Sequence, residues 1–469
     1  MGGCFGIGYS HHVCCCYELC ESAVLRLRVH ARSNNIFNNG GGKSRGQWVK
    51  RRGRPPFEEK VDLARMALDA VFIGLIVFLT DAAWAMMLST LSLYAVFLRA
   101  SVALSGVIVS VVGVSRALGT VPLGILSDKV GRKTVIVLGL ALSFFASISF
   151  VIIFDPLQLI LAAMILGLGS GSVFALGYAY IADSISSTRK GKAIGLYATF
   201  MGVGFSIGPF IAGFTSENWG YPFTYITSSS LFLASLLLAW GTLRKKVGSQ
   251  SQSDRSKRSN GLLKNLVSVM KKKELMIAFV ASFFYGISFS AIFGFFPLYA
   301  QGAGFSLFII GSIVSVRNFS STIVRSPVGV LTHRIRSSIL MVLALCSTGI
   351  VLLMIPFFNS YFALLIILIL EGAFYGIFLT SSNTLVVETS HEYEMGTAVS
   401  MLSTFEFVGS AIGPLIFGAV GQLWGLERVF SITSILLITG AIFLSVNSGR
   451  GRLRNKIDNQ AERKLNHSK

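Results

Sequence analysis

From about Leu68 onward the chain alternates between apolar runs of 18 to 25 residues and short polar turns. Each run is long enough to cross ~30 Å of hydrocarbon as a helix rising about 1.5 Å per residue. Twelve such helices are expected, starting near residues 68, 102, 134, 157, 192, 222, 274, 307, 338, 361, 396 and 429. Composition agrees: hydrophobic residues make up 53% of the chain, mean hydropathy is +0.68 and only 13% of residues are charged. A soluble domain could not hide that much apolar surface from water, so lipid is the expected solvent.

The second half of the pattern repeats the first. At an offset of 205 residues and without a gap, Leu93-Tyr94-Ala95 falls on Leu298-Tyr299-Ala300, Pro122 on Pro327, Gly208-Pro209 on Gly413-Pro414 and Trp219-Gly220 on Trp424-Gly425. Residues 191 to 220 share 13 identities in 30 with their counterparts. The chain therefore reads as an all-α membrane protein of twelve transmembrane helices in two pseudo-symmetric six-helix bundles, the construction expected of a carrier that exposes one site alternately to two compartments. The expected divisions are a disordered, basic and Cys-rich tail over 1–65, bundles over 66–243 and 274–448, a cytoplasmic linker over 244–273 and a basic tail over 449–469. Within the linker, Leu262 to Met270 reads as a basic amphipathic segment suited to the inner leaflet.

A formal charge of +20 raises the question of nucleic acid, and the placement of the 41 Lys and Arg answers it. Thirty-six lie in the termini and the even-numbered turns, only Arg99 and Arg428 in the odd ones, and Arg116, Arg317 and Arg325 inside apolar runs. This is the positive-inside pattern, so the charge reports orientation: both termini cytoplasmic, no nucleic-acid partner. Cys4, Cys14, Cys15, Cys16 and Cys20, with His11 and His12, have poor spacing for a metal site. Gly2 fails as a myristoylation site because Gly6 stands where Ser or Thr is needed, and no cleavable signal peptide is expected. Cys346 reads as packing inside a helix.

The turn after the second run reads Gly124-Ile-Leu126-Ser-Asp128-Lys129-Val-Gly131-Arg132-Lys133, with a diverged copy at Gly329-Val-Leu331-Thr-His333-Arg334. The first copy matches in full the loop motif of the major facilitator superfamily, which this chain resembles over about residues 66 to 448. The resemblance implies that Asp128 works as an inner-gate acid, with Arg132 as partner and Gly124, Gly131, Lys133 and Arg334 completing the gate. His333 stands where the second acid would be, which implies an asymmetric latch. Gly195, Gly204, Gly208, Pro209 and Gly213 are similar to the family's antiporter motif, with Ala212 at one glycine position; Gly409, Gly413, Pro414 and Gly418 repeat them, which points to close packing and bending as well.

Candidate chemistry lies in the ionisable residues at mid-membrane, which are expensive there and rarely face lipid. They are Asp81, Arg116, Arg317, Glu371 and Glu406, with Arg325 two turns nearer the cytoplasm. A carboxylate that changes partners during a cycle can take up and release a proton, and Asp81 and Glu406 are the leading candidates, ahead of Glu371. Arg116 and Arg317 are read as counter-ions or anion ligands; permanent ion pairs tying helices together are the structural alternative. Trp84, Tyr178, Phe289 and Tyr375 offer stacking surface, and Asp183 and Glu388 are read as gate or cap residues. The resemblance also implies departures: drug/proton antiporters of the family carry an Arg where this chain has Ala163. The expectation is a monomeric secondary transporter in the plasma or cytoplasmic membrane, exporting small organic or amphipathic molecules in exchange for protons, with the proton gradient as energy source and no cofactor. Uptake of a sugar-like or organic-anion metabolite is the alternative within transport, and a non-transporting receptor or scaffold the alternative outside it. No nucleotide loop, nucleophile elbow or metal-spaced cluster marks an enzyme.

Overall fold

The computed structural model describes residues 56–184, 190–243, 266–391 and 394–467. Contacts group the chain into Met1–Glu59 and Lys60–Lys469, and the second unit holds every membrane span. Among the described residues eleven helices are long and apolar enough to cross a membrane. The longest, Ala193–Thr242, has 50 residues. At about 1.5 Å per residue it would overreach the hydrocarbon more than twofold. It is broken at Gly220, where φ is 82° and ψ 171°, so it makes two spans and the count becomes twelve.

The helices are α1 Pro56–Phe97, α2 Val102–Val130, α3 Arg132–Ser149, α4 Pro156–Ser184, α5 over 190–219 and α6 over 221–242. The second half contributes α7 Lys273–Gly302, with a five-residue π segment at Ala291–Phe295, then α8 Leu307–Leu331, α9 Ser337–Met354, α10 Tyr361–Thr389, α11 Met395–Trp424 and α12 Leu426–His467. Two boundaries differ from expectation. Helix α1 starts at Pro56, inside the stretch expected to be disordered, because Pro suits the first helical turn. Helix α12 runs through the expected tail to His467, carried by good helix formers such as Leu453, Glu462, Arg463 and Leu465. The remainder of the N-terminal tail and 244–265 lie outside the described residues.

The repeat seen in the sequence is a repeat of contacts. Tyr94 donates to the carbonyls of Phe150 and Ile153, each at 3.0 Å, and Tyr299 to that of Ile355 at 3.4 Å. Helix α4 packs on α2 and α3 as α10 packs on α8 and α9. Two seams join the halves, α2 against α11 and α5 against α8. A methyl built on Gly106 would strike the carbonyl of Pro414, and one on Gly311 that of Pro209, so glycine is what lets these backbones meet. Ser110 donates across the first seam to Ala411 O and Ser315 across the second to Ser206 O, each at 2.5 Å. Both seams occupy the ends that the charge pattern assigns to the outside. Toward the other ends, a side chain at Gly124, Gly195, Gly329 or Gly396 would meet open space. Large apolar side chains such as Phe145, Leu161, Leu237, Ile323, Leu343 and Phe362 point outward, as a lipid-facing surface requires.

Before α7 a helical turn over 266–271 is moored to the second half. Ser268 donates to Glu394 Oε1 at 2.6 Å and Lys272 to Glu394 Oε2 at 2.5 Å and to the Thr389 carbonyl at 3.3 Å. Glu394, in the turn before α11, is 1% exposed. The bonds from Lys272 and Ser268 hold its carboxyl below the ordinary carboxylate range. A depressed acid stabilises the fold above its unfolded titration range, and that stability is lost as pH falls through the folded value. The wild type should therefore lose more melting temperature between about pH 6 and pH 3.5 than Glu394→Gln does, which a detergent-solubilised melt would measure.

The turn between α1 and α2 places Arg99 at φ 66°, whereas the equivalent turn of the second half has Gly304 at φ 90°. The left-handed conformation costs an L-residue about 1–2 kcal/mol, partly offset by glycine's greater freedom when unfolded. Arg99→Gly should therefore stabilise the protein by about 0.5–1 kcal/mol, read as a rise in melting temperature.

Candidate functional site

Two polar clusters sit at mid-membrane, built differently on the two halves of one scaffold. In the second half, Arg317 of α8 and Glu371 of α10 are both fully buried and form a fork: Arg317 Nε donates to Glu371 Oε2 and Nη2 donates to Oε1 at 2.8 Å. Gly372 makes the approach possible, since a methyl there would collide with the Arg317 carbonyl. Tyr285 of α7 donates to Glu371 Oε1 at 3.2 Å, and Arg317 Nη1 donates to Asn318 Oδ1 at 3.1 Å. Asn318 in turn donates to the Phe205 carbonyl of α5 at 3.2 Å, across the seam. The guanidinium also lies 4.7 Å from the Tyr375 ring centre and 5.7 Å from that of Phe293. Such a bidentate, fully hydrogen-bonded pair is the geometry in which buried charges are tolerated.

The first-half cluster is less satisfied. Asp81 and Trp84, one turn apart on α1, are 8% and 4% exposed, and Asp81 Oδ2, Trp84 Nε1 and Arg116 Nε are buried without hydrogen-bond partners. The guanidinium of Arg116, on α2, lies 4.8 Å from the Trp84 ring centre, 5.0 Å from that of Phe174 and 4.9 Å from that of Phe407, a three-sided aromatic cage. It feels the charges of Asp81 from its own half and of Glu406, on α11, from the other. Arg325 of α8 reaches Ser321 at 3.3 Å and acts electrostatically on Glu406, Tyr178 and Tyr375. Tyr178 packs on Tyr197 at 4.7 Å, and Phe289 on Phe293 at 4.5 Å.

The charges break the symmetry that the backbone keeps. At the offset of 205, Arg317 falls on Val112, Glu371 on Leu166, Arg116 on Ser321, Asp81 on Gly286 and Glu406 on Met201. The sequence candidates thus separate into the pair Arg317 and Glu371, spent on each other, and the set Asp81, Arg116 and Glu406, which faces both halves. Phe174, Phe407, Tyr285 and Asn318 were not singled out from sequence. Asn318, a lone amide beside Arg317 in an apolar run, was the clearest available signal.

The gate and hinge residues lie as follows. The side chains of Asp128 and Asp183 lie outside the described residues; Gly131 closes α2 at φ 96° with its N–H on the Ser127 carbonyl. Lys133 donates at 2.6 Å to the Trp240 carbonyl of its own half, and Arg334 is exposed. Arg132 is half-buried. Glu388 accepts from Ser337 at the start of α9 at 3.2 Å. Gly204 and Gly208 press on the α1 carbonyls of Phe78 and Ala82, and Gly409 and Gly413 press on α7. Gly213 and Pro209 meet α8 at Gly311.

The sequence profile of the Major Facilitator Superfamily matches residues 73–347 and 304–466, nearly all of the membrane region. The chain belongs to that superfamily. It is a multi-pass membrane transporter with the superfamily fold. Among curated proteins it is 25% identical over 382 residues to multidrug resistance protein MdtG of Yersinia enterocolitica, covering 78% of this chain and 89% of the relative. It is 26% identical over 389 residues to MdtG of Salmonella choleraesuis, covering 80% and 94%. An MFS-type transporter of Methanocaldococcus jannaschii is 21% identical over 353 residues, covering 75% and 91%. Among solved structures, a bacterial homolog of the lysosomal transporter Spinster, inward-facing and unoccupied, superposes with TM-score 0.68 at 14% identity, covering 82% of this chain and 96% of that one. A D-xylose–proton symporter superposes with TM-score 0.68 at 12% identity, covering 81% and 97%.

Removing one member of a buried pair strands the other charge, while removing both does not. Glu371→Ala should destabilise the protein by about 3–5 kcal/mol, and Arg317→Met with Glu371→Leu should recover most of that loss, as measured by thermal unfolding in detergent.

Proposed function

We propose that this superfamily member is a proton-coupled exporter of small neutral or cationic amphipathic compounds, working as a monomer in the cytoplasmic membrane with both termini inside. One observation carries the reading: Arg116 lies against Trp84, one turn from Asp81 in its own half, and against Phe407, the neighbour of Glu406 in the other, so one guanidinium stands between an acid of each half. Rocking the halves changes the distance from α2 to α11, and with it the balance between the two acids. Whichever acid loses Arg116 becomes the better proton acceptor, so proton uptake and the change of state are linked. The Asp81 carboxylate and the Trp84 ring, on one face of α1, offer a cation or a hydrogen-bond donor an acceptor beside a stacking surface.

Uptake of an organic anion would need an arginine with a free face. Arg317 is buried and committed to Glu371, and Arg116 is caged, so neither arrangement favours a carboxylate solute. The MdtG relatives bear the name multidrug resistance protein, which supports export of organic compounds.

The test is transport by purified protein in liposomes under an imposed pH gradient, with lipophilic cations, neutral amphiphiles, sugars and carboxylates as candidate solutes. Gradient-driven flux of the first two groups is expected, and Asp81→Asn or Glu406→Gln should reduce it by about tenfold or more. Unchanged flux in both variants refutes the coupling assignment, and flux of carboxylates alone refutes the substrate class.

A further inference from the structure

The outer ends of the two seams carry a device that the substrate cluster does not use. The first turn of any helix leaves N–H groups without intrahelical partners. In α2, Ser101 Oγ accepts from Leu104 N at 3.1 Å, and in α8, Ser306 Oγ accepts from Ile309 N at 3.4 Å. These caps travel with their own helices. A second acceptor comes from the opposite half: Gln422 Oε1, at the outer end of α11, takes Val102 N at 3.1 Å, and Glu217 Oε2, at the outer end of α5, takes Leu307 N at 2.8 Å and Phe308 N at 3.4 Å. Every member has its counterpart 205 residues on: Ser101 and Ser306, Val102 and Leu307, Leu104 and Ile309, Glu217 and Gln422.

We propose that Glu217 and Gln422 are paired outer-gate residues, each holding a helix of the opposite half by its N-terminus while the outer side is shut. The contact exists only when α5 meets α8 and α11 meets α2, so parting the outer ends must break it. Both side chains are exposed, so water replaces the lost partner and the opening is reversible. Directly beneath lie Gly213 against Gly311 and Gly106 against Gly418, the tight backbone contacts that the latch seals. Glu217 is the stronger arm, because a carboxylate at a helix N-terminus gains from the helix dipole and from charge-assisted bonding, whereas the Gln422 amide gains less. The inference does not depend on the solute or on the direction of transport.

Double electron–electron resonance tests it, with spin labels at Phe154→Cys and Phe358→Cys in the full chain whose six native cysteines are replaced by Ser. Both positions are exposed, in the turns before α4 and α10 on the outer side, 84% and 43% exposed respectively. Glu217→Ala should raise the ratio of the long to the short distance population by about fivefold, Gln422→Ala by about threefold, and the two together by about fifteenfold. Glu217→Gln, which keeps an acceptor, should restore most of the short population. The Glu217→Ala and Gln422→Ala double variant with the wild-type distribution overturns the assignment whatever its melting temperature, and so does Glu217→Gln if it opens the outer side as far as Glu217→Ala.

Discussion

Hydrocarbon offers a polar group no hydrogen bond, so a charge or amide within the membrane depends on the protein alone for its partners, and this constraint governs the rest of the structure. It confines the spans to helices, whose backbone bonds are internal. It also decides how helices meet. With apolar tails all around, two helices gain little by hiding leucine from lipid, and they associate where backbones come close enough for dispersion and hydroxyl-to-carbonyl bonds. Gly106 and Gly311 supply the closeness, and Ser110 and Ser315 supply the bonds. The same rule explains why Arg317 and Glu371 are joined through a fork with Tyr285 and Asn318 filling the remaining positions. A charge pair that deep is held by geometry as much as by attraction.

On this duplicated frame the functional residues are placed unequally. A strictly symmetric carrier would repeat its acids and bases; here the second half carries a neutralised pair and the first half an arginine wrapped by Trp84, Phe174 and Phe407. Stability and sensitivity are thus divided between the halves. The fully bonded pair ties α7, α8 and α10 together, while the unpartnered atoms of Asp81, Trp84 and Arg116 leave the other cluster with unused hydrogen-bonding capacity. Arg116 contacts Phe407 of the opposite half, so any response there is felt at the seam.

Much of this was legible in the residues. Long apolar runs, the offset of 205 and the placement of Lys and Arg depend on composition and periodicity, which the bilayer enforces strongly, so helix number, pairing of halves and membrane setting could be read directly. The five mid-membrane charges were likewise conspicuous, because hydrocarbon makes each one costly. Their partners were not. Whether Arg317 meets Glu371 or a solute depends on how α8 and α10 are rotated about their axes, and that is set by Gly372 and its neighbours rather than by any local pattern. The aromatic cage was hidden for a similar reason: Phe174 and Phe407 are ordinary phenylalanines until α4 and α11 converge on Arg116. The helical start at Pro56 and the run of α12 to His467 were missed because polar helix formers look like tail when apolarity is the only guide.

The two serine bonds across the seams have a mechanical consequence. Lying on opposite seams at matching depth, they define an axle. Ser110 is eight residues from the start of α2 and twenty from its end. At about 1.5 Å per residue the lever arms are about 12 Å outward and about 30 Å inward, so ten degrees of turn shifts the outer tip by about 2 Å and the inner tip by about 5 Å. A short arm moving 2 Å is enough to take a bond of about 3 Å out of range. The long arm meanwhile sweeps a width suited to a small molecule, so one modest rotation both releases the outer rim and closes the inner vestibule.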